Sequence, residues 1–124
     1  MQIKSLESIL KEANKEIQRL SFDESMNFIR NKPTLILDVR EESEVHASGV
    51  IKNAIHIPRG LIEFKLSDIS SAIEEETNIL VYCAGGYRSA LAAKTLKDFG
   101  FQNVFNIGGY EEWIQNGGEI QPSI

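Results

Sequence analysis

The chain has 124 residues, of which 42% are hydrophobic and 25% charged, a composition typical of a single globular domain. The net charge of -5 and the scattering of the 13 Lys and Arg residues exclude a nucleic-acid surface from the working hypotheses. A single cysteine excludes an intrachain disulfide and favours a reducing, cytoplasmic setting. Charges interrupt the apolar positions of the N-terminus, so we expect no signal peptide. No apolar run approaches the roughly 18 to 20 residues of a membrane span, so we expect no membrane partner.

The N-terminal segment predicts a helical arm. Apolar residues recur at helical spacing over residues 5–15, and Ser5 is a suitable N-cap with Glu7 in the first turn. We therefore place the arm at residues 1–16 and a second unit, which carries the chemistry, at residues 17–124.

The rest of the chain alternates between strand and helix patterns. A capping box of Ser21 and Glu24 begins a second helix, which ends before Pro33. The other predicted elements are strands at 17–20, 34–39, 54–57, 79–82 and 103–106 and helices at 41–47, 60–66, 68–73, 88–99 and 110–116. Such alternation implies an α/β fold, with a central, mostly parallel five-stranded sheet and helices on both of its faces.

Cys83 lies between an apolar strand and a helix rich in Ala and Leu. Open α/β sheets bind ligands at this place, because loops and helix N-termini meet at the carboxyl ends of the strands. Consecutive N–H groups and the helix dipole favour a thiolate there, so we expect a lowered pKa for Cys83. Gly85 and Gly86 allow positive φ and a close approach of the backbone to the sulfur. By itself, the cysteine could equally be a small buried hydrophobe.

Three ordered motifs then carry a resemblance. The cysteine loop fits the pattern C-x-x-G-x-R-S at Cys83, Gly86, Arg88 and Ser89, residues 37–41 read Leu-Asp-Val-Arg-Glu, and residues 108–113 read Gly-Gly-Tyr-Glu-Glu-Trp. In this order and spacing they resemble the rhodanese-like family over about residues 17–117, which implies a rhodanese-like domain for residues 17–124.

The resemblance implies a thiosulfate sulfurtransferase of the single-domain type. Cys83 would be the nucleophile, taking sulfur from thiosulfate or a persulfide donor as a persulfide and passing it to a thiol or cyanide. The loop N–H groups would hold the negative charge of the terminal sulfur, which makes a substrate-binding set of Ala84, Gly85, Gly86, Tyr87 and Arg88. No metal, nicotinamide or flavin is implied. A protein sulfur acceptor or thioredoxin stays open as a partner.

Two residues of the loop leave roles open. Ala84 stands where some family members carry a basic residue, which leaves the sulfur donor unnamed. Arg88 could bind an anionic donor or lower the thiol pKa, or it could pin the loop by pairing with Glu44 or Asp38.

Supporting roles are expected for four further residues. Asp38 would accept hydrogen bonds from N–H groups of the cysteine loop, and Arg40 would be a structural ion-pair partner. Ser89 would cap the helix or lie in its first turn. Arg59, like Tyr87, could line the mouth of the site, with an ordinary surface position as the alternative.

Two rival functions remain. Phosphatases and arsenate reductases of the same fold also place a cysteine and an arginine around an anion, but the phosphatases have five residues between them, whereas four separate Cys83 from Arg88. A non-catalytic regulatory module usually lacks the cysteine. A partner-docking sulfur carrier stays open, with the N-terminal helix as a docking element. The spacing of the lone His46 and His56 argues against a zinc site.

Overall fold

The computed structural model describes residues 1–123, in which helices and strands alternate along the chain. The helices are α1 (Leu6–Glu16), α2 (Phe22–Asn31), α3 (Glu42–Ser48), a 3₁₀ helix (Arg59–Phe64), α4 (Leu66–Ser71), α5 (Tyr87–Asp98) and α6 (Tyr110–Gln115). The strands are β1 (Thr34–Asp38), β2 (Val50–Ile51), β3 (Ile55–His56), β4 (Asn78–Cys83), β5 (Val104–Gly109) and β6 (Ile120–Gln121). None of the helices within these residues is long and apolar enough to cross a membrane.

The central sheet is parallel, in the strand order β3-β1-β4-β5. This parallel sheet with its flanking helices confirms the α/β prediction. Strands β2 and β6 form a separate antiparallel pair that the sequence did not indicate. Where a strand was expected at residues 17–20, the chain forms a single β-bridge beside β5, between Arg19 and Asn106. That bridge is held by Leu20 N–H to the Asn106 carbonyl at 3.0 Å and by Asn106 N–H to the Gln18 carbonyl at 3.1 Å. Among the described residues, the sheet therefore has four strands rather than five.

Alternating side chains of β1 and β4 point to opposite faces of the sheet and build two cores. The first core lies on the α5 face and contains Leu37, Val39, Ile57, Ile62, Ile69, Ile79, Val81, Cys83, Ala92, Ala93, Leu96 and Val104. The second lies on the α2 and α6 face and contains Leu20, Ile36, Ile51, Leu80, Tyr82, Ile107, Tyr110 and Trp113. Both faces are therefore covered, as the apolar runs of the two strands predict.

The helix starts follow the capping signals in the sequence. The Ser5 hydroxyl accepts the N–H of Ser8 at 3.0 Å, and Ser21 and Glu24 form a reciprocal capping box. At its other end α1 is tied to α5, because Lys97 Nζ donates to the Glu16 carbonyl at 2.9 Å. The arm thus packs on the helix that follows the cysteine loop.

Candidate active site

Cys83 ends β4 at the carboxyl edge of the parallel sheet, where Asp38 ends β1 and Gly109 ends β5. Four residues later, at Tyr87, the chain enters α5, so the loop lies between a strand end and a helix N-terminus. The cysteine is 1% exposed and belongs to the core on the α5 face. Its position between strand and helix is the one that the sequence predicts.

Two groups hydrogen-bond the sulfur. Gly86 N–H donates to Cys83 Sγ at 3.0 Å, and the Ser89 hydroxyl oxygen lies 3.4 Å from Sγ. Burial raises the pKa of the Cys83 thiol, but the Ser89 hydroxyl and the backbone N–H groups of Ser89, Gly86 and Gly85 lower it, and their sum puts the pKa below its ordinary value. The hydrogen-bond donors therefore more than offset the cost of burying a negative charge on this sulfur.

The two loop glycines differ in what their backbones require. Gly86 has φ of +95° and is the N-cap of α5, a conformation that L side chains rarely adopt. Gly85 has no positive φ, and a Cβ there would make ordinary contact with the Tyr87 ring at 3.7 Å. Of the two glycines that allow positive φ, Gly86 adopts it and Gly85 does not. Helix α5 begins at Tyr87, and Ser89 lies in its first turn rather than at the cap.

The end of β5 packs directly on the cysteine loop, which the sequence did not indicate. Gly109 pairs with Cys83, and a Cβ on Gly109 would overlap the carbonyl oxygen of Ala84. From the sequence, the pair Gly108–Gly109 indicates only a turn. Its position one strand away from the cysteine explains why a side chain is not accommodated there.

Asn106 is a further site residue that sequence reasoning missed. It is 4% exposed on β5, and its Oδ1 accepts the Ser89 hydroxyl at 2.8 Å and Gly108 N–H at 3.0 Å. Its Nδ2 donates to the Gly86 carbonyl at 3.0 Å. The available signal was a polar residue inside an apolar strand. The structure adds that Asn106 lies level with Val81 of β4 and hence on the same face as Cys83.

Arg88 forms a bidentate ion pair with Glu44 of α3. Its two terminal nitrogens donate to the two carboxylate oxygens at 2.5 and 3.0 Å. The hydrogen bond from Arg88 lowers the pKa of Glu44 most, and partial burial opposes it. A backbone hydrogen bond from Glu41 adds to the lowering, which leaves the pKa at about 2. Of the two partners that the sequence allowed, the structure thus selects Glu44 and leaves Asp38 to other contacts.

The expected contact between Asp38 and the cysteine loop is wrong. Asp38 lies level with Tyr82, one residue before Cys83, so its side chain points to the opposite face of the sheet. There it accepts the Tyr82 hydroxyl at 2.5 Å and pairs with Arg40 at 2.7 Å, all three groups being almost fully buried. Burial and the Asp38 carboxylate raise the pKa of Tyr82 far above its ordinary value.

Arg40 has the structural role that the sequence predicted. Besides Asp38, it donates to the Ser48 hydroxyl at 2.8 Å and to the Gly49 carbonyl at 2.7 Å, and its guanidinium lies 4.1 Å from the centre of the Tyr110 ring. It thereby fastens the loop after β1 to the end of α3 and to α6.

The structure does not bring Arg59 to the sulfur. Its guanidinium donates to the Thr95 hydroxyl at 3.0 Å and lies 3.4 Å from the Glu63 carboxylate. Because Thr95 lies in the body of α5, more than a turn beyond the cysteine loop, these contacts direct Arg59 along the helix rather than into the site. Tyr87 is 67% exposed beside Gly85 at the rim of the loop.

The two histidines form their polar contacts away from Cys83 and its loop. His56 Nε2 hydrogen-bonds the Arg40 carbonyl at 2.7 Å, and His46 lies 3.5 Å from Glu42 on an exposed helix face. Within residues 1–123, His, Cys, Asp and Glu side chains form no cluster of three that could hold a metal. The site thus consists of a buried sulfur faced by hydrogen-bond donors, an arrangement that stabilises negative charge on sulfur.

Two curated proteins each match about three quarters of the chain. The "Putative sulfur carrier protein YrkF" of Bacillus subtilis is 36% identical over 97 residues, which make up 77% of this chain and 45% of that protein. The thiosulfate sulfurtransferase GlpE of Coxiella burnetii is 31% identical over 97 residues, covering 77% of this chain and 86% of GlpE. The chain thus spans less than half of the first relative and most of the second.

A solved structure matches nearly the whole chain. A protein of unknown function from Rhodopseudomonas palustris, described as a possible tyrosine phosphatase, matches with a TM-score of 0.84 and 31% identity. The match covers 98% of this chain and 97% of that one. The human single-domain sulfurtransferase TSTD1 shares the fold, with a TM-score of 0.68 over 78% of this chain and 95% of that one. The family model of the rhodanese-like domain matches residues 21–116. The chain therefore belongs to the rhodanese-like domain family.

Proposed function

We propose that this protein is a sulfurtransferase that carries sulfane sulfur as a persulfide on Cys83. The observation that carries the proposal is the pair of hydrogen bonds to a buried sulfur, from Gly86 N–H at 3.0 Å and with the Ser89 hydroxyl at 3.4 Å. Donors fixed in this way stabilise a thiolate and then the negative charge on the outer sulfur of a persulfide. Membership of the rhodanese-like family supports the same chemistry.

The reaction has two steps. The Cys83 thiolate attacks the outer sulfur of the donor, a new S–S bond forms, and with thiosulfate the old S–S bond breaks to release sulfite with the electron pair. An acceptor thiolate or cyanide then attacks the outer sulfur of the persulfide, and the Cys83 thiolate leaves. In both steps the Cys83 sulfur begins or ends as an anion, so the loop N–H groups serve as nucleophile activators and as leaving-group stabilisers.

The proposal names the sulfur donor and the sulfur acceptor by chemical class. Thiosulfate as donor is supported by the named activity of the Coxiella GlpE relative, while a persulfide donor fits the same loop. The acceptor is a thiol or cyanide. A protein sulfur carrier in the transfer is supported by the name of the Bacillus YrkF relative, and thioredoxin is a further acceptor thiol. Arg88 acts here as a loop anchor, since Glu44 occupies both of its terminal nitrogens.

A second candidate is a phosphatase, which the description of the Rhodopseudomonas structure favours. Against it, the four residues between Cys83 and Arg88 make a smaller cradle than the five of the related phosphatases. We expect no release of nitrophenol from p-nitrophenyl phosphate. Hydrolysis that Cys83→Ser abolishes would favour the phosphatase instead.

The direct test is turnover of thiosulfate and cyanide to thiocyanate, followed by the colour of its ferric complex. We expect turnover by the protein and none by Cys83→Ser, because an alcohol does not take up sulfur in this way. Circular dichroism of the variant should match the parent protein, since serine is close in size to cysteine. Equal turnover by the two proteins would contradict the assignment of the nucleophile.

A further inference from the structure

Asn106 joins the two groups that hydrogen-bond the Cys83 sulfur. Its Oδ1 lies 2.8 Å from the Ser89 hydroxyl, and its Nδ2 lies 3.0 Å from the Gly86 carbonyl. Gly108 N–H, which donates to Oδ1 at 3.0 Å, fixes which way the carboxamide points. Turned over, the amide would bring two donors together at Gly108 and two carbonyls together at Gly86, so the orientation is determined by its neighbours.

The Ser89 hydroxyl has one proton, which determines the direction of its contacts with Asn106 and Cys83. Asn106 Oδ1 only accepts, so the 2.8 Å contact uses the single hydroxyl proton of Ser89. The 3.4 Å contact between Ser89 and Cys83 is then one in which the thiol donates to the hydroxyl oxygen. This pattern is that of the protonated cysteine.

An ionised sulfur requires the opposite direction. When the thiol loses its proton to solvent, the Ser89 hydroxyl turns and donates to the thiolate. Asn106 Oδ1 does not become an unpaired buried acceptor, because Gly108 N–H remains bonded to it. The contact between Ser89 and Asn106 Oδ1 therefore belongs to the protonated thiol, and it is given up when Ser89 donates to the thiolate.

The other end of Asn106 acts on Gly86. The residue that donates its N–H to Sγ at 3.0 Å is the same one whose carbonyl accepts from Nδ2, at a backbone φ of +95°. Holding that carbonyl keeps Gly86 in the conformation in which its N–H faces the sulfur. Asn106 is 4% exposed, and the geometry gives it no contact of its own with Sγ.

We propose that Asn106 is the positioning residue of this site, which holds the Gly86 peptide through Nδ2 so that the Gly86 N–H faces Cys83. The proposal deepens the sulfurtransferase function and rests on it for its catalytic consequence. Its effect on the cysteine itself can be measured without any sulfur donor.

The test compares Asn106→Ala with Asn103→Ala, a partly exposed residue just before the same strand. The pH dependence of iodoacetamide alkylation measures the thiolate fraction of Cys83. In a Ser89→Ala background, where no Ser89 proton competes, we expect Asn106→Ala to shift the midpoint upward by about half a unit to one unit, the effect of roughly one hydrogen bond, and Asn103→Ala to leave it unchanged. With thiosulfate and cyanide, kcat should fall about fivefold while KM stays within about twofold, because the donors act on the sulfur rather than on substrate capture.

The parent background tests the competition for the Ser89 proton. Because Asn106→Ala frees the Ser89 hydroxyl to donate to the thiolate, the upward shift should be smaller in the parent protein than in the Ser89→Ala background. Equal shifts in both backgrounds would overturn that competition. In the Ser89→Ala background, a midpoint equal to that of Asn103→Ala, or a downward shift, would overturn the proposal as a whole, even if the unfolding temperature fell.

The proposal stays falsifiable if Asn106→Ala does not fold. In the Ser89→Ala background, Asn106→Leu is close in size and adds no charge, but it loses the donor to the Gly86 carbonyl, so its midpoint must rise, and a midpoint equal to that of Ser89→Ala would overturn the proposal. If the parent protein makes no thiocyanate, the sulfurtransferase function fails, while the alkylation titration still decides the role of Asn106.

Discussion

At the scale of single residues, Gly86 serves the sulfur in two ways. Its N–H lies 3.0 Å from Cys83 Sγ, and its φ of +95° turns the chain from the loop into α5. An L side chain at such a φ costs roughly 1 to 2 kcal/mol, whereas glycine adopts it freely. Space is not the obstacle, because a Cβ added at Gly86 would have the Gly108 Cα as its nearest neighbour, 3.5 Å away.

This contrast predicts different outcomes for alanine at the two loop glycines. Gly86→Ala should lower the free energy of unfolding by about 1 to 2 kcal/mol and raise the midpoint of Cys83 alkylation, since strain at Gly86 moves its N–H. Gly85→Ala is the matched control and should change both values little, because Gly85 lacks a positive φ. Urea unfolding and alkylation measure them, and equal effects at the two positions would contradict the account.

At the scale of elements, the ion pair of Glu44 and Arg88 joins α3 to the first turn of α5. The same carboxylate accepts the N–H of Glu41 at 2.9 Å and so closes a capping box at the start of α3. One side chain therefore stabilises a helix start and fixes the helix that follows the cysteine loop.

This pair makes stability depend on pH in a defined direction. Because the folded pKa of Glu44 is about 2, below its unfolded value of about 4.3, the pair stabilises the fold above that unfolded value. The contribution is lost as the pH falls toward 2. The loss in unfolding free energy caused by Glu44→Gln should therefore be largest near neutral pH and shrink between about pH 4.5 and 2.

Urea unfolding at a series of pH values measures this difference. Glu42→Gln is the control, because it removes an exposed carboxylate from the same helix. A Glu44→Gln difference that stays constant from pH 7 to pH 2 would show that the charge of Glu44 contributes nothing.

Strand register explains which site residues could be predicted. Cys83, the Arg88 pairing and the structural role of Arg40 were accessible from motifs and from charge. The face of the sheet on which each side chain lies could not be predicted, because it depends on which residues of neighbouring strands lie level. Asp38 lies level with Tyr82 and faces away from the sulfur, whereas Asn106 lies level with Val81 and faces toward it.

At the scale of the whole molecule, the α/β architecture with helices on both faces followed from the alternation of apolar strands and helical patterns. The short pair β2 and β6 did not, because two-residue strands carry too little periodicity. The strand expected at residues 17–20 forms only the bridge of Arg19, since the chain must turn at once into the capping box of Ser21.

The N-terminal arm remains a prediction as a separate unit. In the structure α1 packs on α5, with Ala13 fully buried and Lys97 bonded to the end of α1. Because α5 begins at the cysteine loop, the arm supports the element on which the site depends.

The central claim is that Cys83 carries sulfur, and intact-mass spectrometry tests it most directly. After incubation with thiosulfate, the protein should gain about 32 Da, one sulfur atom, on the peptide that contains Cys83, and cyanide should remove it. Cys83→Ser should gain nothing. A parent protein whose mass is unchanged by thiosulfate and by persulfide donors, or an added sulfur on Cys83 that cyanide and thiols leave in place, would contradict the account.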